Sequence, residues 1–427
     1  MTVKIGLVGT GTVGGGCIDI WKNHREDFKH HYGIDIELVR VCSLDSAEAE
    51  AHGVGHLFTN DFHDIINDPE IDLVIELIGG TGVAHAIVTE ALKAGKHVVT
   101  ANKALMATAG EEIFHLADEA GVEIAFEASV GGGIPIIDPM KHSLISNEIS
   151  SVLGIVNGTT NYMLTRMDKE GMAYEDVLRD AQAKGFAEAD PTADVDGFDA
   201  AAKIAILASI AFNSRVVMSD VSTEGIRNIQ PIDLKTAHEM GYVVKLLAIA
   251  HRTPEGVDVR VHPTMIPESH QMAHVNGVDN AIYVTGDAVG ETMFFGAGAG
   301  SGPAASAVMG DVLEVSRHIT LGAPPLVGCT CTDKLPIVPM DNLETRYYVR
   351  LVVPDRVGVL AAAAQVFSDN DVSLRSVIQE GTRERSAVNL IFVTHTAREK
   401  NIRKALEELA GAEDMLVADP TVIRVED

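Results

Sequence analysis

The stretch Lys4–Gly16, KIGLVGTGTVGGG, decides how the first third of this chain folds. A short β-type run, Lys4–Val8, leads directly into Gly9-x-Gly11-x-x-Gly14, and a helical pattern opens behind it. Gly9 permits the tight turn, Gly11 lets a pyrophosphate approach the backbone, and Gly14 lets the helix lie against the strand. Phosphates then meet the unpaired N–H groups at the helix start. The spacing alone also fits a flexible turn. Set at the head of a βαβ pattern, it reads as a dinucleotide loop comprising Gly9, Thr10, Gly11, Thr12, Val13 and Gly14.

Working outward, Ile36–Val41, Asp72–Leu77, His97–Thr100 and Glu123–Glu127 read as further strands. Ala84–Gly95 and Gly110–Gly121 carry apolar residues at helical spacing and end in glycine. Strands alternating with helices predict a parallel, doubly wound Rossmann sheet over 1–135. The second strand ends near Asp45, whose carboxylate can accept from a ribose 2′-hydroxyl and so favours NAD; Arg40 stands nearby with its direction unset.

The pattern changes beyond Gly131–Gly133 and Pro135. Longer helical stretches, YEDVLRDAQAKG and Ala237–Arg252 (AHEMGYVVKLLAIAHR), accompany strand-like Ser150–Asn157 and Val257–Ile266. This predicts an α+β substrate and dimerisation domain with an open sheet over 136–320, then a proline-bearing linker over 321–345. From 346 to 427 the order β-α-β-β-α-β predicts a ferredoxin-like module.

The 427 residues exceed what one core organises, and 46% hydrophobic content is ample for burial. A formal charge of −28 repels nucleic acid and anionic lipid, so neither is an expected partner. No apolar run is long enough to span a bilayer, and the N-terminus lacks a secretory pattern, so a cytoplasmic protein is expected. Of four cysteines, Cys17 and Cys42 sit in apolar contexts as buried thiols. Cys329-x-Cys331 is too sparse for a zinc site and leaves a redox or inter-subunit role open.

The stretch Phe186–Leu207, FAEADPTADVDGFDAAAKIAIL, sets five carboxylates before an alanine-rich run holding one lysine, Lys203. Asp199 lies one helical turn earlier on the same face. The pair reads equally as an ordinary exposed i,i+4 ion pair or as a proton donor oriented by a carboxylate. Asp190 before proline and Asp196 before glycine read as turn residues, and the acid patch lacks the glycine and terminal glutamate of a calcium loop.

GTGTVG, DLVIELIGG, VVTANKALMA, FEASVGGGIPII, GIVNGTTNYML, GFAEADPTADVDGFDAAAKIAIL and GAGAGSGPAASAVMGD stand in the order seen in homoserine dehydrogenases, which the chain resembles over almost all of 1–320. The C-terminal module is similar to an ACT regulatory domain, with Val357 where the D-R-P-G-V-L pattern has proline. No aspartate kinase region is present, as in the monofunctional form. The resemblance implies interconversion of L-aspartate 4-semialdehyde and L-homoserine with NAD(P)H, on the route to threonine and methionine. It implies Lys203 as proton donor with Asp199, and Glu188 on the substrate ammonium with Asp194 in the substrate shell. Lys103 is implied at both cofactor and substrate, Asn157, Gly158, Thr159 and Thr160 at the substrate, and Gly300 at the cofactor. Oxygens of Glu127, Val130, Gly132 and Ile134 are implied around sodium or potassium, although that glycine-rich turn reads equally as a hinge.

Asp355 and Gly358 are implied at an amino-acid effector such as threonine, in a homodimer or homotetramer; a module used only for dimerisation is the alternative. Three other functions compete. A different semialdehyde or hydroxy-acid dehydrogenase would need its own catalytic group. An acylating dehydrogenase needs a cysteine nucleophile, which Pro135–Thr320 lacks. A non-catalytic amino-acid sensor would not need the Asp199–Lys203 pair.

Overall fold

The computed structural model describes residues 1–323, 328–381 and 386–426; within the expected linker, residues 324–327 lie outside these. Strands β1 (Thr2–Val8), β2 (Asp35–Cys42), β3 (Phe58–Thr59), β4 (Leu73–Glu76), β5 (His97–Thr100) and β6 (Ile124–Ala125) form a six-stranded sheet. It is parallel throughout, in the order β3-β2-β1-β4-β5-β6. Helices α1 (Thr12–Tyr32), α2 (Ser46–Ala51), α3 (His63–Ile66), α4 (Gly82–Lys93) and α5 (Lys103–Ala120) make the connections. Strand order reverses between β1 and β4, which opens a ligand crevice at the carboxyl ends of the strands. The predicted strand Glu123–Glu127 keeps only Ile124–Ala125, because the chain turns into a 3₁₀ turn at Glu127.

The middle of the chain supplies β7 (Ile149–Ile155), α6 (Gly158–Glu170), α7 (Tyr174–Ala183), α8 (Thr192–Val195), α9 (Phe198–Ala211), β8 (Ser222–Thr223) and α10 (Pro231–Glu239). It continues with β9 (Tyr242–Thr253), β10 (Gly256–Pro267), β11 (Asp279–Gly286), β12 (Gly290–Ala297) and α11 (Ser301–Leu321). The helix expected over Ala237–Arg252 is therefore corrected. Gly241, at φ +82°, follows the end of α10, and YVVKLLAIAHRT becomes β9, paired with β10 along its full length. Val244–Ala250 is buried on both sheet faces, so the run carries no alternation to mark it as a strand.

Although α11 comes late in the chain, it packs on α1, and Ala305, Val308 and Val312 share a core with Ile5, Leu7 and Ile18. That approach depends on Gly16, where an added Cβ would sit 2.8 Å from Ser301 Oγ. The C-terminal part comprises β13 (Glu344–Pro354), α12 (Val359–Asp369), β14 (Leu374–Gly381), β15 (Ala387–Thr394), β16 (Ala397–Arg398), α13 (Glu399–Gly411) and β17 (Thr421–Val425). Its sheet is not separate. β17 pairs in parallel with β10 at Thr264↔Arg424 and Met265↔Val425, giving an eleven-stranded sheet with the main path β12-β11-β7-β9-β10-β17-β13-β15-β14. Beneath this seam the buried Arg350 guanidinium donates to Asp233 Oδ1 at 2.7 Å, and Tyr348 OH donates to the same oxygen at 2.7 Å. No helix among the described residues is long and apolar enough to cross a membrane.

Lys245 of β9 is buried and donates to the Val275 carbonyl at 2.5 Å and to Asn161 Oδ1 at 3.3 Å. Burial pulls its amine down from 10.5 to about 8. An amine that protonates less readily folded than unfolded opposes folding below pH 8, and the penalty fades as pH rises to 10.5. The stability of the native protein relative to Lys245→Met, read from urea melts, should therefore increase across that window; a constant difference would contradict the assignment.

Candidate functional site

The site is built around α9. Gly197, at φ +85°, starts this helix, and the alanine-rich run that follows has high intrinsic helix propensity. Small side chains let α9 be buried on every side, against α5, β7, β9 and β10. Asp199 and Lys203, both buried, face the same way within it. Lys203 Nζ donates to Asp199 Oδ2 at 2.7 Å and to the Val156 carbonyl, at the end of β7, at 2.6 Å. The exposed i,i+4 reading is thereby removed.

The second oxygen of Asp199 pairs with Lys103 Nζ from the other side of the crevice. Lys103 opens α5, where Asn102 accepts from Leu105 N at 3.1 Å and donates through Nδ2 to the Gly80 carbonyl at 2.6 Å. Behind this cap, Thr100 Oγ1 donates to the fully buried Glu76 at 2.6 Å. One carboxylate thus bridges an ammonium of the nucleotide-binding sheet and an ammonium of the second domain. Burial alone would raise the Asp199 pKa, but Lys203 and Lys103 together hold it below the usual carboxylate range. Burial lowers Lys203; Asp199 partly restores it, and Lys103 lowers it further.

Asn157 caps α6 and joins this cluster to the acidic turn. Its Oδ1 accepts from Thr160 N and from Thr160 Oγ1, each at 2.9 Å. Its Nδ2 donates to Asp194 Oδ1 at 2.7 Å and to Asp199 Oδ2 at 2.9 Å. Burial raises the Asp194 pKa, opposed by the Asn157 bond. Thr159 Oγ1 donates to the Phe186 carbonyl at 2.6 Å, while Gly158 lies where a Cβ would meet the Val278 carbonyl at 2.7 Å. Glu188 is exposed on the same loop. Asp190 behaves as a turn residue, accepting from Thr192 N at 3.1 Å, whereas Asp196 additionally receives Arg227 Nε at 2.5 Å and Nη2 at 3.0 Å.

The glycine loop has the geometry its spacing predicts. Gly9 adopts φ +101°, and a Cβ on Gly14 would lie 2.0 Å from the Gly9 carbonyl oxygen, so helix and strand are as close as backbone permits. A Cβ on Gly11 would meet nothing within 4 Å: the face above the turn is open, as a pyrophosphate requires. Thr10 donates to Glu48 Oε2 at 2.7 Å, and Ser301 Oγ donates to the Thr12 carbonyl at 2.7 Å, which brings Gly300 beside the loop that Val13 continues into α1. Asp45 is exposed and caps α2, accepting from Ala47 N at 2.9 Å.

The remaining candidates lie apart from the Lys203 cluster. Glu127, Val130, Gly132 and Ile134 share one turn, but the Glu127 carboxylate already accepts from Ile136 N (2.6 Å), Ile137 N (2.8 Å) and Asp138 N (2.6 Å). No group of three or more His, Cys, Asp or Glu side chains suited to a metal occurs among the described residues. Gly358, at φ +93°, starts α12, and Asp355 is exposed in the turn before it. Cys17 and Cys42 are buried free thiols; Cys329 and Cys331 are half-buried and unbridged, with Arg215 Nη2 3.4 Å from Cys329 Sγ. Sequence reasoning passed over the Val156 carbonyl, Glu76 and Arg227. The first shows no side-chain signal; Glu76 could have been noticed as an acid inside an apolar strand.

Comparison with known proteins identifies the family and its domains. Family models described as "Homoserine dehydrogenase, NAD binding domain", "Homoserine dehydrogenase" and "ACT domain" match residues 9–127, 135–313 and 347–414. A homoserine dehydrogenase of Synechocystis sp. is 45% identical, with all of both chains covered. A crystal structure of a homoserine dehydrogenase from Thiobacillus denitrificans superposes with a TM-score of 0.93 at 42% identity, covering 100% of this chain and 99% of that one. A hyperthermophilic archaeal homoserine dehydrogenase in complex with NADPH matches 77% of this chain and 100% of its own, with a TM-score of 0.65 at 25% identity. With a Rossmann sheet, a mixed-sheet substrate domain and a C-terminal ACT domain, the chain belongs to the homoserine dehydrogenases, a family of NAD(P)-dependent oxidoreductases.

Proposed function

We propose that Lys203 is the proton donor of the homoserine dehydrogenase reaction, oriented by Asp199, in a cleft where Lys103, Asn157 and Asp194 shape the substrate site. The observation that carries this reading is a buried ammonium held by one carboxylate and one carbonyl at the domain junction. Reduction of L-aspartate 4-semialdehyde needs a hydride on the aldehyde carbon and a proton on its oxygen, and the bound dinucleotide supplies the hydride. Lys203 releases its proton to the nascent alkoxide and is left a neutral amine, the form that burial favours. In the oxidation of L-homoserine the neutral amine accepts the hydroxyl proton. Asp199 keeps the ammonium aimed, and Lys103 keeps Asp199 ionised.

Glu188 and Asp194 take the substrate ammonium and its surroundings through charge-assisted hydrogen bonds, and the α6 start at Asn157–Thr160 faces the carboxylate with the N–H groups of Gly158 and Thr159, Thr160 N being held by Asn157. Gly9–Gly14, Lys103 and Gly300 hold the dinucleotide. NAD is favoured over NADP: Asp45 is exposed near the end of β2, and the Arg40 guanidinium lies 3.7 Å from Asp68. Sodium or potassium would take carbonyl oxygens from Glu127, Val130, Gly132 and Ile134, since the Glu127 carboxylate is committed to three N–H donors. The Asp355–Gly358 turn would receive an amino-acid effector such as threonine, in a cytoplasmic homodimer or homotetramer.

Lys203→Met should lower kcat by about a hundredfold or more while NADH still binds; a variant with native kcat excludes the role. Asp199→Asn removes the anion that raises the lysine pKa, so the alkaline rise of homoserine oxidation should move to lower pH; a shift to higher pH refutes the pairing. Gly11→Ala should weaken NADH binding at an unchanged melting temperature, whereas Gly14→Ala should lower both. Calorimetry and thermal melts of the two variants separate cofactor contact from packing.

A further inference from the structure

One segment, Glu224–Gln230, grips the ACT domain and the acidic turn at neighbouring residues. Toward the ACT domain, Arg424 of β17 donates to Glu224 through Nη1 at 2.6 Å and Nη2 at 2.7 Å. The Asn228 carbonyl accepts from Arg350 Nη2 at 3.2 Å and from Thr421 Oγ1 at 3.1 Å. Toward the turn, Ile226 N donates to the Val195 carbonyl at 2.8 Å, and Arg227 forks onto Asp196 while reaching Thr192 Oγ1 at 3.3 Å.

The grip is buried on the ACT side, whereas the Arg227–Asp196 pair at the turn is partly exposed. Arg424 is nearly fully buried and is also fixed by Glu399, at 2.9 Å from Nε, while Arg350 is locked on Asp233. Between them, Gly225 lies so close to the turn that an added Cβ would stand 2.1 Å from the Val195 carbonyl oxygen. Val195 and Asp196 adjoin Asp194, which shares Asn157 with Asp199. A run of short contacts therefore joins β17 and β13 to the residue beside the Lys203 cluster. Packed contacts of this kind transmit displacement because they do not deform continuously.

We infer that Glu224–Gln230 is a coupling strap through which the ACT domain sets the position of Asp194, with Arg227 as a positioning residue for the acidic turn and the Arg424–Glu224 pair as its anchor. The inference rests on the reading of Asp194 as part of the substrate shell. A bidentate guanidinium–carboxylate pair fixes orientation more than it adds stability, so its loss acts on substrate binding before chemistry.

The test uses full-length protein and three variants, Arg227→Met, Arg227→Lys and Glu224→Gln. Arg227→Met should raise KM for aspartate semialdehyde roughly fivefold, with kcat held within about twofold and KM for NADH unchanged, and Arg227→Lys should recover part of the loss. Hydrogen exchange of residues 190–197 should quicken in Arg227→Met and in Glu224→Gln, while β1 and β4 stay protected. A folded Arg227→Met with native semialdehyde KM overturns the inference, as does native exchange of the turn in Glu224→Gln. Failure of the unmodified protein to reduce the semialdehyde would instead defeat the assignment of the reaction and of Asp194, and would overturn the strap's catalytic role with it; exchange at the turn would then show only whether the mechanical link exists.

Discussion

Everything in the cleft depends on one carboxylate shared by two ammonium groups. Asp199 receives Lys203 from its own helix and Lys103 from the first turn of α5. Removing either cation would leave a buried charge short of a partner, a far larger penalty than losing a surface ion pair. The two domains meet at a point where neither supplies a complete set of charges. Interdomain geometry and the ionisation state of the site are consequently a single property of the molecule.

The surrounding architecture serves that junction. Asn157 spends its amide in both directions, its oxygen on the α6 start and its nitrogen on Asp194 and Asp199, so its orientation cannot drift without breaking a cap. The alanine run of α9 has the complementary duty: together with Ile204, Ile206 and Leu207 it lets a helix bearing two charged groups sit deeply among β7, β9 and β10. On the nucleotide side, Ser301 ties α11 to the Thr12 carbonyl, so the two glycine-rich passages, far apart in the chain, meet at one rim of the crevice.

How much of this can be read from the residue string depends on how local each signal is. Gly9, Gly11 and Gly14 act within six residues, and their turn forms as the spacing requires. The βαββαβ order of the C-terminal part was equally visible, since each strand there is bounded by turn or helix signals. β9 was not, because Val243–Ala250 is apolar apart from Lys245, shows no alternation, and resembles a buried helix until its partner β10 is known. The i,i+4 offset placed Asp199 next to Lys203, and the position of Lys103 after a strand marked it for a ligand, but nothing local paired Lys103 with that carboxylate ninety-six positions downstream. The Val156 carbonyl was invisible in principle, being a backbone atom whose role depends on where β7 ends.

The seam between β10 and β17 has a consequence for how the molecule comes apart. Only two residue pairs stitch the strands, yet Asp233 lies under that seam with Arg350 and Tyr348, both from β13, as its buried partners. Shearing away the last eighty residues would take both side-chain donors from Asp233, leaving it the Gln230 N–H, and bare a sheet edge ready to recruit a stranger's strand. Thermal loss of the C-terminal lobe and collapse of the lobe before it should therefore be one cooperative event.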